Sequence, residues 1–491
     1  YWRRGSVAPD YGRIEAAILQ FAGWMDEYVD AALRIQARCS AAAARRTIVG
    51  PWVHGLPDHA MPGPNVDWLG EMVAWFDRWL RDEPASANSA ASSGVRRPAA
   101  RTTGSTPEEP ALTWFRRDPT PPERFPAGLN GAWRSLEAWP PADGSDGAGR
   151  FVLALDADPD SGPGRGRLVT GAASHGGTDR LTHHPTAGAR GGSLCWGAGH
   201  PPNGLAADLR LEEPWSLVYT GAVLDAPIDV LGAPVVVVDV SASEPLAQLV
   251  ARLGDVAPDG AVEQVCEGIL NLSHRESHVE PSPLEPGRIY RVRVALRAAG
   301  YRFPAGHRLR LSFATAHWPV AWPSPGPVTL AIHRGRDHPS RLELPLSPAD
   351  ASDGLISEAS LLARTSPTLL VAASETTEPP TWRVTEDPIA GTVTVTTYEA
   401  ETSTLPDGMS TLFVSEALSM TASDRAPGAG RSENVCEYRL SRDGIDVEAV
   451  ADGAIVADAE AFDIAGGLRV TLDGRPFFER RWQERIPRDL L

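Results

Sequence analysis

Two short strings carry the residues best suited to chemistry: Gly23-Trp24-Met25-Asp26 and Gly50-Pro51-Trp52-Val53-His54. A carboxylate and an imidazole together form the acid–base half of a nucleophilic hydrolase. The acid fixes the imidazole tautomer, and the imidazole takes the proton of an attacking hydroxyl. Asp26 and His54 stand 28 positions apart, too far to meet within one element. Trp24 and Trp52 are the candidates to wall a substrate pocket beside them and exclude water. Taken singly, an Asp after a strand is a turn residue or helix cap, and a His there is structural. Order and spacing are what turn the pair into a catalytic candidate.

The elements that must position them are legible around the strings. Ala17 to Ala22 and Thr47 to Val49 are compact apolar runs that read as buried strands. Glu27 to Arg46, without Gly or Pro, reads as a helix between them. Strand, acid, helix, strand, histidine is the order in which a parallel α/β sheet brings two carboxyl-end loops into one crevice. Gly23 and Gly50 mark sharp exits from the two strands. Downstream, Met72, Trp75, Phe76, Trp79 and Leu80 recur at helical spacing within Asp67 to Pro84 and predict an apolar, core-packing face.

The opening Tyr1 to Ser6, the stretch with GWMDEY and the string GPWVHG resemble the cocaine esterase/X-Pro dipeptidyl-peptidase family of α/β-hydrolases. The resemblance implies that Asp26 is the triad acid and His54 the triad base. It departs at Ala17, where a proline is usual, and at Glu27, where a glycine is usual. Gly131 to Arg134, Ala251 to Gly260 and Pro304 to Leu311 resemble the family's jelly-roll domain. Trp482 to Arg488 resembles members with a C-terminal extension.

G-x-S-x-G, the strained turn that presents a nucleophilic serine, does not occur in the 491 residues. Gly191-Gly192-Ser193 and Gly408-Met409-Ser410 do not complete it. In the resembled family the nucleophile precedes the G-W-x-D string. The expectation is therefore the C-terminal portion of a longer serine hydrolase, inactive alone because His54 has no hydroxyl to activate. A split enzyme and a relic are the other accounts. The substrate expected for the complete enzyme is a small-molecule ester or a short peptide, cleaved through an acyl-enzyme.

The expected fold is α/β plus β. Residues 1–84 are read as the C-terminal part of an α/β-hydrolase domain and 85–110 as a small, polar, proline-containing linker. Residues 111–350 are read as a jelly-roll β-sandwich and 351–491 as a β-rich extension. Tyr290 to Leu296 and Arg308 to Phe313 alternate apolar and polar, and Val235 to Val238 is apolar throughout. Asp443-Gly444 and Asp473-Gly474 are hairpin signals. A total of 46 Gly and 44 Pro suits a turn-rich β architecture.

A net charge of −17 argues against nucleic acid and anionic membrane as partners. No apolar run approaches the roughly 20 residues that span a bilayer. All 46 basic residues are Arg. Four scattered cysteines, Cys39, Cys195, Cys266 and Cys436, have no metal-ligand spacing and suit a reducing, cytoplasmic setting. No cofactor is expected. His54, Asp58 and His59 lie among Pro and Gly rather than on a helix, so no metal site is expected there. A homo-oligomer is left open. The alternative from another class is a non-catalytic β-sandwich binding protein for carbohydrate or a partner protein, with Trp196, Trp215, Trp318 and Trp322 stacking on sugar rings. His307 and Arg308 read as turn and strand residues.

Overall fold

The computed structural model describes residues 5–40, 44–58, 60–80, 110–140, 149–192, 204–353 and 373–490. The linker reading of 85–110, apart from Pro110, and Ser193, Cys195, Trp196 and His59 lie outside the described residues. Among the described residues the fold is mostly β, with few helices, built on three sheets.

The first sheet holds the two strings. β1 (Ile18–Gly23) pairs in parallel with β2 (Arg45–Gly50), Ile18 opposite Arg45 and Gly23 opposite Gly50. β3 (Leu112–Arg117) pairs in parallel with the other side of β2, and β4 (Gly131–Leu136) runs antiparallel to β3. Strands Ala299–Phe303 and Ile228–Gly232 extend it beyond β3, and Ser352–Asp353 adds to β4. Among the described residues, β1 has a strand partner on one side only.

Helices cover both faces, as a parallel sheet requires. α1 (Val29–Arg38) buries Val29 and Leu33 with Trp24, Val49, Leu112 and Trp114. α2 (Trp68–Leu80) lies on the opposite face, where Trp68 meets Phe21 edge-on with centroids 6.3 Å apart. The Asp67 carboxylate accepts the Gly70 N–H at 3.0 Å and holds the first turn of α2.

Two local expectations need correction. The helix foreseen over Glu27 to Arg46 ends at Arg38, where Cys39 is extended, and Arg45 and Arg46 belong to β2. Their pairing with Ile18 and Leu19 is a non-local contact that overrides helical propensity. The apolar stripe of α2 is not core: of its five residues only Trp75 is buried, while Phe76 and Trp79 are exposed and Leu80 is 74% exposed.

The second sheet has eleven strands and encloses the largest core. Tyr290–Ala295 alternates buried and exposed at every position, and Val235–Ala242 is buried throughout. Both pair directly, Val236 opposite Val294. Leu309, Leu311 and Phe313 enter the same core from Arg308–Ala314.

The third sheet is an antiparallel meander of seven strands, from Ala373–Asp387 to Arg475–Pro487. The Asp-Gly signals make its last tight turns. Asp443 and Gly444 have φ of 51° and 79°, and Asp473 and Gly474 of 52° and 72°. Positive φ at both central residues matches the twist of the flanking strands. Val393, Val395, Met420 and Ala422 pack one part of one face against Trp318 and Ala189.

Candidate active site

The loops leaving β1 and β2 are laced together. Trp24 N–H donates to the Gly50 carbonyl at 2.9 Å, and Met25 N–H to the Trp52 carbonyl at 3.0 Å. The approach is close enough to demand glycine. A Cβ on Gly23 would lie 2.1 Å from the Trp52 carbonyl oxygen, and one on Gly50 would lie 2.3 Å from the Trp52 ring.

This lacing brings Asp26 and His54 together. His54 Nδ1 and Asp26 Oδ2 are 2.9 Å apart, a distance at which Nδ1–H donates to the carboxylate. The other Asp26 oxygen accepts the Tyr28 N–H at 2.9 Å. Asp26 is thus aimed by a local turn at the imidazole, and Tyr28, not Asp26, occupies the N-cap of α1. His54 is half exposed while Asp26 is mostly covered, at 52% and 15% of their side chains. The acid is sheltered and the base is open to a reacting partner.

Trp24 and Trp52, expected to wall the pocket, are each 1% exposed and sit in separate cores on opposite faces of the sheet. Their indole N–H groups donate to the carbonyls of Phe115 at 2.7 Å and Pro64 at 2.9 Å. They are buried braces for the two loops. The aromatic ring beside His54 is that of Tyr28, exposed, with its centroid 5.4 Å away. Sequence reasoning passed over Tyr28; its signal was its place two residues after the acid.

The residues just before the acid and the base, Met25 and Val53, are buried in the core of the second sheet. Behind Met25 lies a buried ionic network. Arg117, in β3, donates Nη1–H to the Met25 sulfur at 3.8 Å and Nη2–H to the Val265 carbonyl at 2.6 Å. Its guanidinium is 3.8 Å from Glu263 and over the Tyr301 ring. Tyr301 O–H contacts both Asp255 and Glu263. Burial pushes the Glu263 carboxyl up to about 7, against the opposing pull of Arg117, the Thr120 N–H and Tyr301. His307 completes the network with Nδ1 3.0 Å from Asp255, well removed in role from the His54 pair.

Among the described residues no group of three or more His, Cys, Asp or Glu side chains is placed to hold a metal ion. No helix among them is long and apolar enough to cross a membrane. Cys39, Cys266 and Cys436 are free thiols. Trp318 is buried and packs edge-on against Trp322, and Trp215 lies under the Arg190 guanidinium. None of these three presents a bare platform for a sugar.

Residues 105–344 match the X-Pro dipeptidyl-peptidase C-terminal non-catalytic domain. Over 375 residues the chain is 27% identical to a cocaine esterase from Rhodococcus sp. (strain MB1 Bresler), covering 70% of this chain and 59% of that protein. Similar solved structures include a CocE/NonD family hydrolase from Staphylococcus aureus, with TM-score 0.46, 14% identity, and coverage of 69% of this chain and 55% of that one. Another is an aminopeptidase from a marine sediment Thaumarchaeota archaeon, with TM-score 0.45, 18% identity, and coverage of 62% and 49%. The chain spans little more than half the length of the curated relatives it matches. By sequence, this chain is similar to the cocaine esterase/X-Pro dipeptidyl-peptidase family of hydrolases.

Proposed function

We propose that the chain supplies the acid and the base of a serine hydrolase that cleaves a small-molecule ester or a short peptide through an acyl-enzyme. The observation that carries this reading is the 2.9 Å contact between His54 Nδ1 and Asp26. With Nδ1 held by the carboxylate, Nε2 is the ring nitrogen that takes the proton of the attacking serine. His54 then returns that proton to the leaving group, and Asp26 stabilises the imidazolium between the two steps. Water releases the acyl group by the same route.

The serine comes, in this reading, from polypeptide outside residues 1–491, since no nucleophile elbow occurs within them. β1, β2, α1 and α2 are then the C-terminal part of an α/β-hydrolase domain, and the eleven-stranded sheet is the jelly roll. Two features support this. Among the described residues β1 is a parallel strand open on one side, with Ile18, Leu19, Phe21 and Ala22 only half-buried. α2 exposes Val73, Phe76, Trp79 and Leu80. A further parallel strand beside β1 with its own packing would cover both.

The test is to express the polypeptide together with whatever its gene encodes ahead of Tyr1 and to label it with a fluorophosphonate. Labelling of a serine outside residues 1–491, abolished by His54→Ala, is expected. A labelled serine within these residues, or labelling indifferent to His54, would overturn the reading.

A further inference from the structure

The meander is a single layer whose two faces differ in chemistry. Leu412, Val414, Leu440, Tyr438, Val447, Ala449, Val470, Leu472 and Phe478 share one face by register, whereas Arg439, Glu448, Glu437, Arg469 and Glu479 share the other. Among the described residues its last strand, Arg475–Pro487, pairs on one side only, and all thirteen of its residues are exposed. An unpaired edge of that length is a template for another strand. Phe478, Trp482 and Ile486 stand exposed along it, Trp482 at 46%, all on the apolar face.

We propose that Arg475–Pro487 is a dimerisation edge, on which the same strand of a second copy pairs antiparallel about a two-fold axis through Trp482. The sequence of the strand is self-complementary in that register. Residues whose numbers are equidistant from 482 fall opposite one another. Arg480 of each copy then faces Glu484 of the other, Glu479 faces Arg485, Phe478 faces Ile486, and the two Trp482 side chains meet on the axis. Every charged residue from Glu479 to Arg485, save Arg481 opposite Gln483, gains an opposite charge, and every apolar one gains an apolar neighbour. Moving the axis by half a residue to fall between Arg481 and Trp482 would instead set Arg480 opposite Gln483 and Glu479 opposite Glu484.

The rest of the chain leaves room for this arrangement. Beyond Pro487, Arg488 is buried against the Pro323 carbonyl and Asn271 donates to the Leu490 carbonyl, so the eleven-stranded body lies at the C-terminal end of the edge. Antiparallel pairing puts the two bodies at opposite ends of the shared sheet. An axis perpendicular to that sheet keeps both apolar faces on the same side, and so joins them into one surface.

Sedimentation velocity of the full chain, with charge variants, tests the proposal. A dimer is expected whose dissociation constant rises at least about tenfold in Glu484→Arg, which sets Arg against Arg480 twice. The double variant Arg480→Glu with Glu484→Arg restores the pairing and should bring the constant back near the parent value. Directly opposite residues have Cα atoms about 4.5–5.5 Å apart, within disulfide reach. Trp482→Cys should therefore cross-link on oxidation, and Glu479→Cys should not. A chain that stays monomeric at its highest soluble concentration overturns the proposal. So does a dimer indifferent to Glu484→Arg, or one in which the two cysteine variants cross-link alike.

Discussion

The guanidinium of Arg117 lies 3.8 Å from the sulfur of Met25, the residue before Asp26. A strand of the same sheet thereby props the loop that carries the acid, and Glu263 and Tyr301 hold the prop from behind.

Removing that support should unfold before it inactivates. Arg117→Ala leaves Glu263 without its guanidinium in a buried setting and is expected to cost about 3 kcal/mol or more of stability. Thermal denaturation of the variant checks it. A melting temperature within a degree or so of the parent would mean that the network is ornamental.

The pair itself should behave oppositely. In the complete enzyme, His54→Ala and Asp26→Asn are expected to lower kcat by about 10⁴-fold while leaving the melting temperature nearly unchanged. His54 is half exposed and Asp26 keeps its turn to Tyr28 as asparagine, so neither change opens the core. Steady-state kinetics on an activated ester, paired with a melt of each variant, separates the two effects.

Glycine at the strand exits is a steric requirement. Gly23→Ala drives a methyl to 2.1 Å from the Trp52 carbonyl oxygen and should destabilise by about 1–3 kcal/mol or more. Gly162→Ala, where a Cβ meets nothing within 4 Å, is the control and should be close to neutral. Urea titrations of the two variants give the comparison.

Glu263 should leave a mark on the pH dependence of stability. Its carboxyl is raised from 4.5 to about 7 in the folded chain, chiefly by burial. Between those values the folded form holds a proton that the unfolded form has lost, so this group's contribution falls as pH rises from about 4.5 to about 7 and is level above. Glu263→Gln cannot titrate and should flatten that part of the curve. Melting temperatures taken every half pH unit on both proteins decide it.

Much of this was readable in the chain because the signals were local. The apolar run before each of Gly23 and Gly50 is a strand, and both Asp-Gly pairs turn hairpins. The strict alternation at Tyr290–Ala295 reports a half-buried strand directly. What escaped depends on partners distant in sequence. Arg45 and Arg46 join a strand because Ile18 and Leu19 pair with them, which no helical propensity foretells. Trp24 and Trp52 flank the candidate residues in sequence yet turn into two cores, since their indoles find carbonyls at Phe115 and Pro64. The stripe of α2 shows which face is apolar but carries no record of what covers it. Arg117, a charge in a strand, reads as solvent-facing until Glu263 and Tyr301 arrive from more than a hundred residues away.

β3 lies directly against β2 although residues 51 to 111 separate them in the chain. The covalent path between these neighbours is long, but their attachment is short and made of backbone hydrogen bonds. A protease cutting between residues 85 and 110 would therefore sever the polypeptide without parting it. The fragment with Asp26 and His54 would elute with the remainder under native conditions, and only denaturant would resolve the two bands.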